Sequence, residues 1–423
     1  MDLLTLLHET SFWVDTFNHM RNKRNLKTTQ LQELEYLQLG NFYDTALTQI
    51  KNGEYIWSTP IKHLRNKTGT TKKRVVYIHS IQDRVLLGVL YRACSEYFKA
   101  YMSDSCFSYR KGVKTLNAID YLIQDKCLFK KYGVKLDISS YFNSVAKDQL
   151  VKMIHELFDY ESPMLLKLIT DLMLTDKVLF NGEEIEEYKS LIPGCALSSF
   201  FANYCLKDLD HYIAEELGLT YARYSDDIIL FADTKEEIEH CLTIIQNKLN
   251  TLGLKINPNK YEWYEPHTPI TFLGLKIYEN ENENKVIIDI SDNCLHKVKR
   301  RIRHAAKMAR MTASKNHKDA YNEARKLLKQ YNHRTYKCYI EDSSKYGWGY
   351  YAFRYINTIK SLRNIDQYLA DRVRYVITGK NNKANLIKVS KEQLQALGYV
   401  PLVEMYNLFN VDFDVYCDQV YLM

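Results

Sequence analysis

Apolar positions along the chain recur with two spacings, and the switches between them mark the elements. Residues 1–60 read as mostly helical, with a polar basic patch at Arg21–Lys27. KHLRNKTGTTKKRVVYIHS (62–80) predicts a basic loop running into an alternating strand over Val75–Ile78. Residues 81–100 then predict a helix with Val85, Leu86, Val89 and Leu90 on its apolar side, and 108–122 a loop leading into another. GVKLDISSYF (133–142) predicts a short strand ending at Asp137, followed by a helix near 147–159. A small hairpin is expected over 178–188 around Asn181-Gly182. From Ser198 the period is helical through about Glu216, and 221–233 reads as strand, two-residue aspartate turn, strand.

DTKEEIEHCLTIIQNKLNTLG (233–253) predicts an amphipathic helix. Thr234 caps it, Glu236 and Glu237 sit in its first turn, and Gly253 ends it. Ile238, Cys241, Leu242, Ile245 and Leu249 form its apolar stripe. ITFLGLKIY (270–278) and KVIIDI (285–290) predict strands joined by the polar ENENEN. Beyond 290 the character changes, which places a domain boundary there. KVKRRIRHAAKMAR (297–310) carries seven Lys or Arg residues and no acid, and helix continues to about 375 with a break at Gly347–Gly349. No internal repeat is visible.

Composition narrows the classes. With 46% hydrophobic residues and 26% charged ones, 423 residues suffice for more than one folded domain. A net charge of +7 permits a polyanionic partner without naming one. The nine cysteines form no close CxxC pair, so no zinc finger is expected and reduced cytoplasmic thiols are. The opening MDLLTLLHET has no basic segment followed by an apolar one, and no run is long enough to span a bilayer, so neither a leader nor a membrane partner is expected. The 34 tyrosines suit base stacking, and equally a biased nucleotide composition of the gene.

The chemistry concentrates at two strand ends, Asp137 and Asp226–Asp227. If these strands neighbour one another in an antiparallel sheet, three carboxylates converge. Like charges that close raise one another's pKa unless cations neutralise them. Mg²⁺ suits such a site, because it takes hard oxygen ligands and accepts phosphate oxygens beside them. Two such ions activate a 3′-hydroxyl and stabilise leaving pyrophosphate. Paired aspartates in a hairpin turn also occur as solvated surface turns; the apolar Ile228–Phe231 that follows weighs against that.

RYSDDIILFA resembles the active-site hairpin of the reverse transcriptases, with Tyr224, Ser225, Asp226 and Asp227 in its four turn places. VKLDISSYFNSV resembles that family's first carboxylate strand. The resemblance implies Asp137, Asp226 and Asp227 as catalytic residues, with Ile138 completing the metal-holding set. It implies Phe142 as an aromatic gate against a 2′-hydroxyl. IPGCALSSFFANYCLKDLD (192–210) resembles the segment cradling template and nucleotide, with Gly194, Ser198 and Asn203 in place and Pro193 where the family commonly has glutamine. TKKRVVYIHSIQDRV resembles the fingers segment, SYRKG the phenylalanine-arginine loop with Tyr109 for the phenylalanine, and GLKINPNK the palm loop. These imply nucleotide-binding roles for Lys73, Arg74, Arg84, Arg110 and Lys260. TFLGLKI resembles the primer-grip hairpin, with Phe272, Leu273 and Gly274. Lys297, Lys299, Arg300, Arg301 and Arg303 would follow a nucleic-acid backbone from a thumb helix.

The resemblance spans about residues 60–278 and implies an α+β right-hand polymerase fold. Its expected divisions are an N-terminal helical extension (1–60), fingers and palm of antiparallel sheet and helices (61–290), a basic helical thumb (291–380) and a tail (381–423). It implies an RNA-directed DNA polymerase using two Mg²⁺ ions, with Mn²⁺ a substitute, acting on dNTPs, an RNA template and a DNA product. The SYRKG and IPGCALSS variants are most similar to the bacterial defence-associated, abortive-infection group, with retron and group II intron enzymes next. That likeness implies a dedicated noncoding RNA, antiphage defence, and a homo-oligomer or second defence protein. Three alternatives remain: template-independent or protein-primed synthesis, a retron-type enzyme, and an inactive nucleic-acid-binding protein.

Overall fold

The structure, a computed structural model, describes residues 2–22, 26–66, 73–280, 285–315, 319–336 and 347–411. The chain divides into two compact units, residues 1–266 and 267–423.

In the first unit, helices Thr10–Arg21, Thr28–Leu39 and Phe42–Asn52 bear out the helical reading of the N-terminal region. The first two of these pack on the helix Ile81–Tyr97, and Val85, Leu86, Val89 and Leu90 on it are fully buried. Eight strands follow in chain order: β1 (Ile61–Asn66), β2 (Lys73–Ile78), β3 (Tyr132–Asp137), β4 (Lys177–Phe180), β5 (Glu183–Glu186), β6 (Thr220–Tyr224), β7 (Asp227–Ala232) and β8 (Glu262–Tyr264). They form two four-stranded sheets, ordered β2-β1-β4-β5 and β6-β7-β3-β8.

The first sheet corrects the basic-loop expectation for 62–74. β1 is a strand, paired antiparallel with β2 from Ile61↔Ile78 to Asn66↔Lys73, and it also pairs parallel with β4 at Ile61↔Leu179. Its two apolar residues, Ile61 and Leu64, are largely exposed, so no alternation of burial marks it in the sequence. Residues 67–72, the rest of the expected loop, lie outside the described residues. The β4–β5 hairpin turns at Asn181-Gly182 as expected, both at positive φ (53° and 92°).

The second sheet contributes to the main core, which also takes in the N-terminal helices and helix Ile81–Tyr97. β7 lies between β6 and β3 and is covered on both faces, so Ile228–Ala232 are all buried and read as one apolar run. Gly133 on β3 pairs with Phe231, and a Cβ there would run into the Phe231 ring. Helix Lys235–Thr251 covers this sheet. Thr234 and Glu237 form a reciprocal capping box at its start, and Ile238, Cys241, Ile245 and Leu249 are buried.

The second unit has a three-stranded sheet, β11-β10-β9, of β9 (Ile270–Phe272), β10 (Leu275–Asn280) and β11 (Lys285–Ile290). The single strand expected over 270–278 is instead a hairpin. It reverses at Leu273-Gly274, with φ of 50° and 86°, and Phe272 pairs with Leu275. A leucine in the left-handed region is uncommon, so only the glycine hinted at the turn. Residues 281–284 of the ENENEN linker lie outside the described residues. Helices Asp292–Lys315, Ala320–Thr335, Trp348–Phe353 and Lys360–Thr378 follow, then Asn385–Lys388, Lys391–Ala396 and Leu402–Val411. The helical region is interrupted as expected: one helix ends at Thr335 and the next described one starts at Trp348, with Gly347 as its N-cap and Gly349 inside its first turn. Among the described residues, no helix is long and apolar enough to cross a membrane, and seven cysteines are free thiols. Helices with largely antiparallel sheets make this an α+β protein, as expected.

Candidate catalytic site

The antiparallel register sets Asp137, the last residue of β3, directly opposite Asp227, the first of β7. Directly opposed residues hold their Cβ atoms about 5 Å apart on one face of the sheet. Asp137 is buried. Its Oδ2 accepts from Asn257 Nδ2 (3.0 Å), its carbonyl from Asn257 N–H (2.7 Å), and its Oδ1 pairs with the half-exposed Lys260 ammonium. Burial, then the charges of Asp226 and Asp137, push the Asp227 carboxyl up to about 6, against the pull of Lys260 and Lys135. Burial works to lower the Lys260 pKa, but the bond to Asp137 and the three carboxylates raise it overall.

The turn differs from the expected aspartate pair. Tyr224 pairs with Asp227, so the two turn residues are Ser225 and Asp226. The carbonyl of Asp226 accepts from Ile138 N–H (3.0 Å), tying the turn to the end of β3. Among the described residues, no three carboxylate, histidine or cysteine side chains form a ready-made metal cage. Asp137 and Asp227 are brought together, with Asp226 beside them in the turn. Two opposed hard-oxygen donors, one with its pKa raised, suit a divalent cation.

Ser225 takes a left-handed conformation, φ 61°, that costs a non-glycine residue free energy. The surroundings hold it on every polar atom. Its N–H donates to Ser108 Oγ (2.8 Å), its carbonyl accepts from Arg223 Nη1 (3.2 Å), and its hydroxyl meets that of Tyr109 (3.2 Å). Arg223 is fully buried on β6 and donates to both Asp210 oxygens, at 2.7 and 2.5 Å. Sequence reasoning missed Ser108, Asp210 and Arg223 as parts of the site. A lone arginine inside the apolar run of β6 was the available signal, since a buried cation requires a buried partner.

The other expected residues divide by environment. Lys73 and Arg74 on β2 are exposed and make no ion pair among the described residues. Burial raises the Tyr109 pKa, and the nearby charge of Arg74 opposes the rise. The Arg84 Nε and Nη2 are buried without a hydrogen-bond partner. Arg110 is engaged in its own loop, donating to the carbonyls of Ser103 (2.8 Å) and Cys106 (3.1 Å) and pairing with Asp104 (3.1 Å). The Phe142 ring lies edge-on to Tyr109 at 6.2 Å. Gly194 has φ 108°, and the Pro193 carbonyl before it accepts from Tyr77 N–H (2.8 Å), so this segment joins the end of β2. Ser198 is fully buried with its hydroxyl unpartnered.

In the second unit, Phe272 is buried and Leu273 and Gly274 form the turn already described. On helix Asp292–Lys315, Ile302, Ala306 and Ala313 are buried, while Lys297, Arg300, Arg301 and Arg303 are exposed. Lys299 lies over the Tyr368 ring at 5.3 Å.

The family model described as reverse transcriptase (RNA-dependent DNA polymerase) matches residues 65–277, just over half of the 423. A comparison with curated proteins found no match. Among solved structures, the chain is similar to an apo telomerase from Candida tropicalis truncated from its C-terminal domain. That match is 15% identical, covers 55% of each chain and has a TM-score of 0.43. The chain thus spans about half the length of that solved chain.

Proposed function

The chain belongs to the reverse transcriptase family of RNA-directed DNA polymerases, and from that premise we propose that Asp137, Asp226 and Asp227 are its nucleotidyl-transfer centre. What carries the assignment is the Asp137↔Asp227 register, with Asp226 in the adjoining turn. Asp137, Asp227, Asp226 and the main chain of Ile138 would hold magnesium. Bound there, it would supply positive charge to the 3′-hydroxyl and to the triphosphate. Lys260 pairs with Asp137 and offsets its charge. Lys73 and Arg74 offer exposed cations to the triphosphate, and Arg84 a guanidinium with unused donors. Phe142 presents an aromatic edge against a ribose 2′-hydroxyl. Residues 61–290 act as fingers and palm and 291–380 as thumb, with Phe272–Gly274 as primer grip.

The finer assignment is synthesis on a dedicated noncoding RNA in antiphage defence. The SYRKG and IPGCALSS variants support it. One feature favours untemplated or protein-primed synthesis as the second reading: Pro193 has no side-chain amide for a template, and its carbonyl is taken by Tyr77. Sequencing the RNA and DNA that copurify from the native locus separates the two. One abundant RNA with complementary DNA supports templating; DNA without a matching RNA, attached to protein, supports the second.

The centre itself is tested with Asp226→Ala plus Asp227→Ala. Incorporation of dNTPs onto a primed RNA should fall below detection at an unchanged melting temperature, because metal ligands rather than packing are removed. Incorporation by the purified double variant at the wild-type rate would sink the assignment.

A further inference from the structure

We propose that Ser108 and Tyr109 form a clamp on the Ser225–Asp226 turn, in which Tyr109 is a positioning residue that sets discrimination between deoxy- and ribonucleotides. This rests on the polymerase function proposed above and adds the device that holds its two halves in step. The expected gate, Phe142, and the expected carboxylates lie on separate elements, and Tyr109 touches both neighbourhoods. Its ring meets Phe142 at 6.2 Å and 84°, edge to face, and its hydroxyl meets Ser225 Oγ at 3.2 Å. Its own backbone is in the left-handed region, φ 51°, and its carbonyl accepts from the Tyr91 hydroxyl (2.8 Å). The strained conformation is therefore fixed from outside, as at a position with a positioning task. Tyr109 is 38% exposed, so it is not core filling.

Ser108 is the other jaw, and its hydroxyl has no freedom left. It accepts from Ser225 N–H (2.8 Å) and donates its one proton to Asn203 Oδ1 (3.1 Å). Asn203 Nδ2 returns a bond to the Ser108 carbonyl (2.6 Å), which fixes the orientation of the amide. Arg223 donates to the Ser225 carbonyl and to the Asn203 side chain (3.2 and 3.4 Å), while Asp210 neutralises it. Ser108, Asn203, Asp210 and Arg223 are all buried, so the clamp stands on a buried, hydrogen-bonded base.

The two parts of Tyr109 then do separable work. The hydroxyl holds the turn, and with it the aspartates, so it governs rate. The ring backs Phe142, so it governs sugar choice. A loose catalytic group costs on the order of tenfold to a hundredfold in rate.

The test is single-nucleotide incorporation on a primed RNA template, with dNTP or NTP, by the wild type, Tyr109→Phe, Tyr109→Leu and Ser108→Ala. Phe142→Ala sets the scale of lost discrimination, and melting temperatures verify folding. Tyr109→Phe should lower kcat by about tenfold at unchanged KM and keep discrimination within about twofold. Tyr109→Leu should lose at least about tenfold in discrimination, toward the Phe142→Ala value. Ser108→Ala should follow Tyr109→Phe. A merely structural tyrosine would lower rates for both sugars equally, so unchanged discrimination in folded Tyr109→Leu overturns the proposal. Should Tyr109→Leu fail to fold, Tyr109→Phe decides: lost kcat at constant KM sustains the clamp, and an unchanged kcat overturns it. A wild-type protein that incorporates nothing overturns the polymerase function and the clamp together, an outcome distinct from either of these.

Discussion

His79 has a buried imidazole with neither ring nitrogen hydrogen-bonded. Burial drives its pKa down to about 4; the charge of Asp83 opposes this, and Lys189 and Arg84 add to it. The folded protein therefore keeps it neutral where the unfolded chain, near 6.5, takes up a proton. The unfolded state binds the extra proton between those values, so stability is lost as pH falls from about 6.5 to 4, by on the order of 3 kcal/mol from this group. His79→Gln should lose less stability between pH 7 and pH 4.5 than the wild type, read from urea midpoints. Equal losses would remove His79 as a source of acid sensitivity. At this scale the sequence disclosed the residues with a local signature. Asp137, Asp226 and Asp227 stood out because acids punctuate apolar strands. Ser108 did not, because its partner Ser225 lies 117 residues away and only the fold makes them neighbours.

Elements with strong periodicity were legible for the same physical reason. The Lys235–Thr251 helix shows its cap, stripe and stop in one stretch of chain. β1 and the β9–β10 hairpin did not, because an exposed strand has no burial pattern and the Leu273 turn lacks the usual residue at its first position. The segment before helix Leu197–Cys205 shows how tightly elements constrain one another. Ser190, Ile192 and Gly194 all have positive φ there, and a Cβ on Gly194 would lie 2.6 Å from the Tyr77 carbonyl. Gly194→Ala should thus destabilise by more than about 1 kcal/mol. A lowered melting temperature is the expected result; an unchanged one would mean that this segment can leave β2 at little cost.

Across the whole molecule, basic residues outnumber acidic ones by seven, and helix Asp292–Lys315 is strongly basic. If Lys297, Arg300, Arg301 and Arg303 contact phosphates, converting them to glutamine should flatten the slope of log affinity against log salt by about 3.6 for a duplex. Fluorescence anisotropy of a labelled RNA–DNA duplex over a potassium chloride series measures it. An unchanged slope would place the duplex elsewhere. The division of the chain into two units was not visible in its periodicity: composition shifts near 290, whereas compactness changes at 266. The sheet of β9–β11 shares its unit with the basic helices. One consequence of the Asp137↔Asp227 pairing concerns folding quality. Strand side chains alternate between faces, so a slip of one residue between β3 and β7 would turn one carboxylate away from the other and force Ile228–Phe231 out of their places. Such a molecule would keep its helices but lose the proposed centre. On the proposed assignment, catalytic output counts only chains whose central strands have found their register, and an active-site titration of this protein would also be a census of its correctly folded copies.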